Sequence, residues 1–423
     1  MKHRPLFLLA LLLGGTAHAE PLPALDALTL PQAEMLLLSH NREIQAAQRM
    51  VEGLRADGVS AAQRPNPTLS LGTNSISLDR ASPGKLWDKQ MDSVIRLDQT
   101  IERGGKRALR IKAAESAIQA GQADAADTVR QQRVALTYLY YELMLAQEKE
   151  EINRHTAQLY GKSVNASELR LKLGDISPTD LARLQVEAYR ADNDARQSQA
   201  EREKARIALA YLVGEERRAA SIQAAGPWPE TQAFSPYDVE TMLAQRADIR
   251  AAQSRVELAD ARRGQARALL TRDISVGVQY EHYPPDARNT VGLGVSFPLF
   301  ASYQYQGEIQ RAENDYSAAL EDLERVRALA LSEINKTRSD LEAARERLDR
   351  HRGELLSKAE KAATAAEFAY SRGALGLLDL LDARRTLKAI QIEAAAARAD
   401  YAKAQAAWQT LQVDEQTKES AQP

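Results

Sequence analysis

Two aspartates in the segment LLDLLD (377–382) form a closely spaced acidic pair. Asp379 and Asp382 are three residues apart, so a helix would place both carboxylates on one face. Carboxylate pairs are frequent on the helices predicted here, and such pairs more often form a solvated face than an acid/base dyad. The same residues also fit a simpler role, because carboxylates near a helix start stabilise the positive end of the helix dipole.

The other residue types that carry chemistry do not form clusters. The chain has no cysteine, which excludes disulfides, thiolate metal sites and a cysteine nucleophile. The histidines beyond the N-terminal segment are isolated from one another: His40, His155, His282 and His351. No dedicated metal site, cofactor site or catalytic constellation is therefore predicted, and the chain is not expected to be an enzyme.

The segment GGKR (104–107) lacks the leading spacing and the following Ser or Thr of a phosphate loop. We interpret it as the start of a helix. Lys106 and Arg107 are then expected near lipid headgroups or between subunits.

The N-terminal segment MKHRPLFLLALLLGGTAHAE (1–20) predicts export. A charged start and an apolar run precede a small-residue cleavage site, so we interpret residues 1–19 as a signal peptide. The 56 Lys+Arg and 58 Asp+Glu residues are nearly balanced, which does not favour nucleic-acid binding. No later stretch reaches the roughly 18 apolar residues of a membrane-spanning helix, whereas an exported chain can still enter an outer membrane as β-strands.

Internal repetition organises the chain. NREIQAAQRMVE (41–52) aligns with RADIRAAQSRVE (246–257), and LKLGDISPTDL (171–181) aligns with YSRGALGLLDL (370–380). The segment between the two copies is rich in Pro and turn-forming residues. The predicted divisions are a signal peptide (1–19), a first repeat (20–215), a linker (216–235), a second repeat (236–412) and a polar tail (413–423).

Each copy carries the same predicted order of elements, which ends with a returning helix. The elements before it are a first helix (31–64 and 236–271), two strands (within 67–101 and 272–300) and a very long helix (104–173 and 303–372). At about 1.5 Å per residue, each very long helix would run roughly 100 Å. That length exceeds what a globular domain needs.

The returning helices carry apolar residues and alanines at steps of three and four. In the first copy this ladder runs from Leu181 to Ala195, lapses, and resumes at Leu209. Such a ladder predicts a seam that packs against a neighbouring helix.

Glycine breaks separate the long helices from the returning ones. Gly174 can take the left-handed conformation that ends a helix, and Ser177 and Pro178 are placed to start the next one. The predicted tips of these two helical hairpins are 173–178 and 372–377. Both tips are expected at the same distant end of the molecule.

Two segments of the second copy, 274–282 and 291–299, alternate between apolar and small or polar residues. This alternation fits barrel strands with one face on lipid, and it also fits a half-exposed soluble hairpin. In the first copy Leu69 and Leu71 alternate, but the pattern slips at Ile76. Four strands cannot close a transmembrane barrel, so strands that span a membrane require a homo-oligomer.

The chain resembles the TolC family of outer-membrane efflux proteins over essentially its whole mature length. RPNPTLSLG (64–72) is similar to the family's entry into its first strand. QTIERGGKRALR (99–110) resembles the strand-to-helix junction of the heavy-metal cation branch, the CzcC-like proteins, and YSRGALGLLDLLDARRTL (370–387) resembles the second periplasmic tip. The chain departs from the family where Asn41-Arg42 replaces the usual Asn-Pro, and at Pro178.

The resemblance implies a mainly α-helical protein with a membrane β-barrel portion. Its long helical hairpins would form an α-barrel tunnel, and three chains of four β-strands would complete a barrel of twelve. The implied partners are two further copies of the chain, outer-membrane lipid, a periplasmic adaptor protein and an inner-membrane pump of the resistance-nodulation-division type. The implied location is the Gram-negative outer membrane, with the helices extending into the periplasm.

The resemblance also implies site residues. The implied adaptor-docking residues are Leu173, Gly174, Asp175, Arg372, Gly373 and Ala374. The implied periplasmic aperture contains Tyr370, Asp379 and Asp382, and threefold symmetry would repeat each aspartate as a ring. Leu375 stands where the family has a basic residue, and Arg372 is the candidate substitute.

The function predicted in this way is a passive exit duct for heavy-metal cations. A near alternative keeps the fold and changes the cargo to drugs or solvents. An alternative of another class is a non-channel periplasmic coiled-coil scaffold, which the amphipathic strands oppose.

Overall fold

The computed structural model describes residues 24–75, 91–232, 237–283 and 287–412. The predicted signal peptide and polar tail lie outside these residues. The helices are α1 (Leu30–His40), α2 (Arg42–Ala61), α3 (Lys106–Lys172), α4 (Pro178–Leu212), α5 (Val239–Gln245), α6 (Ala247–Ala268), α7 (Gln306–Arg350), α8 (Leu356–Ser371) and α9 (Leu377–Gln412). The strands are β1 (Thr68–Asn74), β2 (Asp92–Ile101), β3 (Ile274–Tyr283) and β4 (Ala287–Ser296).

The four strands form one antiparallel sheet in the order β1-β2-β3-β4. Leu97 of β2 lies opposite Leu69 of β1 and opposite Val278 of β3, so apolar residues of successive strands share one face. The expected slip at Ile76 lies outside the described residues.

The last strand does not match its prediction. A strand was expected over 291–299, but β4 covers Ala287–Ser296. The nitrogen of Pro298 has no hydrogen to donate to a neighbouring strand, which accounts for the early end.

Each predicted first helix is broken in two, so the expectation of one helix over 31–64 and one over 236–271 is wrong. Asn41 has an extended backbone (φ −65°, ψ 127°), and its side chain accepts a hydrogen bond from the Ile44 nitrogen at 3.0 Å. The side-chain nitrogen of Asn41, Nδ2, donates a hydrogen bond to the Leu212 carbonyl oxygen at 2.9 Å. Arg246 is extended in the same way at the matching position (φ −63°, ψ 132°).

Ion pairs of Arg246 stabilise the break between α5 and α6. Arg246 is 5% exposed, and its guanidinium lies 2.7 Å from Asp248 and 2.6 Å from Glu333 of α7. Glu333 also binds Arg130 of α3 at 3.2 Å. A buried arginine is tolerated because its charge is paired, and these contacts tie the second repeat to the first.

The very long helices differ between the copies. α3 is continuous over 67 residues, which at about 1.5 Å each is roughly 100 Å. The matching helix expected over 303–372 is interrupted, because a π-helical turn at His351–Leu355 separates α7 from α8. Gly353 lies within this turn, and glycine weakens the preference for a regular α-helix.

α3 and α4 pack against each other as an antiparallel hairpin. Near the tip the seam is apolar, with Tyr160, Leu184 and Ala191 buried. Farther up, Arg202 of α4 pairs with Glu150 of α3 at 2.7 Å, which explains why the apolar ladder lapses there. Polar pairs within an apolar seam favour one register over its alternatives.

The linker packs tightly against the helices. Ile222 is fully buried, and the backbone of Leu28 bridges that of Ala224. The Trp228 ring stacks on Tyr141 of α3 with 5.8 Å between ring centres. These contacts hold the linker against α3.

Across the described residues, every helix is too short or too polar to serve as a membrane span.

Candidate functional site

One face of the sheet presents apolar side chains that a single chain leaves exposed. They are Leu69, Leu71, Ile95, Leu97, Ile101, Val276, Val278, Tyr280, Val291, Leu293 and Val295. Leu293 is 83% exposed. A contiguous apolar surface of this kind marks a contact with lipid or with another protein.

The opposite face is polar and closely packed. Arg96 Nε lies 2.7 Å from Asp98 Oδ2, and Arg96 donates to the Gln279 side-chain oxygen at 3.1 Å. A Cβ atom at Gly277 would lie 2.3 Å from Asp98 Oδ1, so only glycine leaves room for this carboxylate. The sheet therefore has one face suited to lipid and one suited to water.

The sheet has two open edges. β1 and β4 are its outer strands, and each pairs with a neighbour on one side only within the described chain. Open edges with an apolar face invite pairing with another strand. The arrangement is suited to joining further copies edge to edge.

The strand-to-helix junction follows its prediction in part. α3 begins at Lys106 after Gly105, which has a left-handed backbone (φ 70°), so the helix-start interpretation of GGKR is confirmed. Lys106 Nζ lies 2.9 Å from Asp273, and Arg107 Nε donates to the Ala62 carbonyl oxygen at 2.8 Å. Both basic residues contact their own chain, and their expected position near headgroups or between subunits stays a prediction.

The two hairpin tips have the same backbone construction. Gly174 and Gly373 are left-handed (φ 82° and 74°). The Asp175 nitrogen donates to the Arg170 oxygen at 2.9 Å, and the Ala374 nitrogen donates to the Ala369 oxygen at the same distance. The predicted turns at both tips are confirmed.

The tip side chains point outward and the tips lie close together. Leu173 is 70% exposed, and Asp175, Arg372 and Ala374 are exposed as well. The Arg170 guanidinium of α3 lies 5.5 Å from the centre of the Tyr370 ring of α8. The expectation that both tips lie at one end is confirmed by this contact.

Asp379 and Asp382 lie in the first two turns of α9 and are exposed. Within the described part of the chain, neither carboxylate accepts a hydrogen bond or forms an ion pair of 4.0 Å or less. Arg385 attracts Asp382 at longer range, and both carboxylates remain accessible to an external cation.

Sequence reasoning missed a buried carboxylate above the tips. Glu187 of α4 is 8% exposed and lies 2.6 Å from an Arg385 nitrogen of α9 and 2.9 Å from Arg190. Lys388 pairs with Asp194 at 2.6 Å one turn away. The partners are almost 200 residues apart, so no local sequence signal joins them. These pairs fasten the two hairpins together beside the candidate aperture.

Among the described residues, no group of three or more His, Asp or Glu side chains is placed to hold a metal ion.

The chain as a whole matches one family of known proteins. A model of the family named outer membrane efflux protein matches residues 35–215 and 239–412. The chain belongs to this family. Both matched segments contain two strands of the sheet and one helical hairpin, so the family match covers the apolar face and both tips.

Relatives of this efflux protein include a metal-resistance protein and solved channels. It is 25% identical over 378 residues to the cobalt-zinc-cadmium resistance protein CzcC of Cupriavidus metallidurans. This alignment covers 87% of this chain and 85% of CzcC. The outer membrane protein VceC of Vibrio cholerae is similar in structure (TM-score 0.74, 23% identity, 90% of this chain and 95% of VceC). CusC is similar too (TM-score 0.74, 18% identity, 90% and 91% of the two chains).

These structures share the fold of TolC-like channels, in which long helices form an α-barrel below a β-barrel portion. The expected fold class, the family and the outer-membrane location are confirmed.

The buried glutamate of this efflux protein makes its stability depend on pH. The hydrogen bond from Arg385 holds the pKa of Glu187 below its ordinary value of 4.5. The ion pair therefore stabilises the folded protein above pH 4.5, and that stability is lost as the pH falls further through the lower folded-state pKa. We expect Glu187→Gln to lower the thermal unfolding midpoint at neutral pH, with the difference from wild type shrinking in acid.

Glu168 of α3 is exposed and provides the matched control. Glu168→Gln should unfold like the wild type at every pH. A Glu187→Gln variant with the wild-type midpoint at neutral pH would contradict the assigned role of the ion pair.

Proposed function

We propose that the protein is the outer-membrane exit duct of a tripartite efflux system for heavy-metal cations. An inner-membrane pump of the resistance-nodulation-division type would supply the energy, and a periplasmic adaptor would connect the pump to this duct. The duct itself conducts passively. The observation that carries the proposal is the pairing of a lipid-suited sheet at one end with exposed hairpin tips at the other.

The open sheet edges support a homotrimer. Each chain has four strands, and a closed transmembrane barrel needs at least eight. Three chains joined edge to edge give a barrel of twelve strands, with the apolar face on outer-membrane lipid. The helical hairpins then form a tunnel that extends into the periplasm.

The tips support adaptor docking. Leu173, Gly174 and Asp175 at the first tip, and Arg372, Gly373 and Ala374 at the second, are all exposed. They lie about 70 residues of helix beyond the sheet, where a periplasmic partner can reach them. An adaptor would bind to the surface that these two tight turns form.

The aperture residues support cation passage. Three copies of Asp379 and of Asp382 would form two rings of carboxylates near the tunnel end, which raise the local cation concentration. Tyr370 beside Arg170 would join the contacts that close the aperture at rest.

The cargo assignment depends on the metal-resistance relative. CzcC is named for cobalt, zinc and cadmium resistance, and this chain aligns with most of its length. The rival cargo is a set of drugs or solvents on the same fold. A periplasmic coiled-coil scaffold is disfavoured, because a scaffold has no use for a sheet with one exposed and largely apolar face.

Growth of a deletion strain distinguishes the cargos. The strain is grown in the presence of zinc, cobalt, cadmium, copper or silver, and separately in the presence of a panel of drugs. Each growth test is repeated with the gene supplied in trans. Sensitivity confined to particular metals, restored by the gene, is the expected result. Sensitivity to drugs alone would replace the cation assignment with the rival.

The second tip offers a test of docking. Gly373→Val should strongly reduce metal resistance while the protein still assembles, because the bulky residue disturbs the turn that the adaptor meets. The left-handed backbone adds strain of about 1–2 kcal/mol. Resistance is measured as the metal concentration that stops growth, and assembly by gel filtration.

Gly105 provides a matched control, since it has the same left-handed backbone (φ 70° against 74°) and equally open surroundings. Gly105→Val carries the same strain far from the tips and should keep its resistance. Equal resistance in the two variants would remove the docking assignment.

A further inference from the structure

Two arginines lie side by side where the sheet meets the helices. The backbone nitrogen of Arg103 donates a hydrogen bond to Asp273 Oδ1 at 2.9 Å. A Cβ atom at Gly104 would lie 2.7 Å from the Thr271 Cβ, so the two chain segments are in close contact there. Arg103 follows β2 and Arg272 precedes β3, which makes the two arginines neighbours across the pair of strands.

Both arginines belong to the apolar face of the sheet. The last register pair of β2 and β3 is Ile101 with Ile274, and side chains alternate between faces along a strand. Arg103 is two residues beyond Ile101, and Arg272 is two residues before Ile274. Both are exposed, so two guanidinium groups stand directly below the apolar surface.

The chain compensates these two charges only in part, because Asp273 attracts Arg103 electrostatically but also serves Lys106. Within the described residues, neither guanidinium forms an ion pair of 4.0 Å or less or donates a side-chain hydrogen bond. The nearby Asp273 already pairs with Lys106 at 2.9 Å. Like charges on neighbouring strands destabilise a sheet, and an anion bound between them removes that repulsion.

Aromatic and apolar side chains follow the end of β4, and one of them contacts Arg272. The Arg272 guanidinium lies 4.9 Å from the centre of the Phe300 ring, which fixes its position. Phe297, Leu299 and Tyr303 are 52%, 74% and 49% exposed. Aromatic residues at the end of an apolar band are typical of the boundary between membrane and water.

We propose that Arg103 and Arg272 bind the phosphate group of a phospholipid in the leaflet that faces the periplasm. Guanidinium groups match phosphate oxygens with paired hydrogen bonds. The acyl chains would lie along the apolar face above. Free phosphate offers the same oxygens, but only a lipid also uses the adjacent apolar surface. The site rests on the proposed function, since it requires the sheet to span the outer membrane.

The test counts lipids bound to the assembled protein by native mass spectrometry. Dioleoyl phosphatidylglycerol is titrated into detergent-purified full-length protein. Arg103→Gln with Arg272→Gln should raise the apparent Kd about tenfold, which corresponds to about 1.4 kcal/mol. The control is Arg311→Gln with Arg325→Gln, two exposed arginines of α7 whose loss changes the net charge equally. The control should bind lipid like the wild type.

Three results overturn the site. The first is an unchanged Kd in the Arg103→Gln, Arg272→Gln variant, and the second is an equal rise in the control. The third is displacement of the lipid by millimolar inorganic phosphate, which would make the site one for free phosphate.

Conductance of the same preparations in planar bilayers separates this site from the proposed function. If the wild type conducts cations and the arginine variant binds lipid normally, only the lipid site is wrong. A wild-type protein that never inserts or conducts would overturn both.

Discussion

Removal of both aperture aspartates, Asp379→Ala with Asp382→Ala, should lower the cation preference of single channels about tenfold. In a trimer the double change removes six carboxylates from the narrow end of the tunnel. Neither side chain is held by a hydrogen bond or ion pair within the described chain, so the helix should keep its place. The measurement is the reversal potential in a potassium chloride gradient, which gives the ratio of cation to anion permeability.

Glu321 and Asp340 of α7 provide the control, because they are exposed acids in the same chain. Glu321→Ala with Asp340→Ala removes equal charge far from the tips and should leave the permeability ratio nearly unchanged. If the aperture variant kept the wild-type permeability ratio, the role of the two aspartates would be limited to stabilising the start of α9.

A charge on the lipid-suited face should prevent membrane assembly. Val278 is at the centre of β3, between Leu97 and Leu293, and is half-exposed in the single chain. Val278→Arg should cost about 2–4 kcal/mol per chain if that face lies at the bilayer centre. The cost is repeated in every copy. We expect few assembled trimers in urea-washed outer membranes and on gels run without heating.

The adjacent residue gives a control on the opposite face. Gln279 accepts a hydrogen bond from Arg96 at 3.1 Å, and a glutamate there would keep that contact while it adds a charge on the water-suited face. Gln279→Glu should therefore assemble. Equal assembly of the two variants would favour the soluble-hairpin interpretation and revive the scaffold alternative.

Much of the fold could be predicted because its signals are local. The alternation of Val276 and Val278 with smaller residues is visible within a few positions. Gly174 and Ser177 mark a tip in the same way, and the Ser177 side chain does accept a hydrogen bond from the Asp180 nitrogen at 3.0 Å. Periodicity and turn chemistry report on neighbours in sequence, so they recover strands, helices and turns.

The features that could not be predicted depend on distant partners. The helical pattern continues through Arg246, whereas in the structure the chain is extended there and its guanidinium is buried against Asp248 and Glu333. Glu187 looks like any surface acid of a helix until Arg385 packs against it. The sequence near Arg246 does not reveal its contact with Glu333, and the sequence near Glu187 does not reveal its contact with Arg385.

The two helix breaks also bear on how the duplicated halves have diverged. Asn41 completes the first break with contacts inside its own half, to Ile44, Gln132 and Leu212. Arg246 completes the second break through Glu333, which in turn holds Arg130 of the other half. The first break is therefore completed within one half, whereas the second break is joined through Glu333 to Arg130 of the other half. In the second half expressed alone, Glu333 would keep Arg246 and lose Arg130.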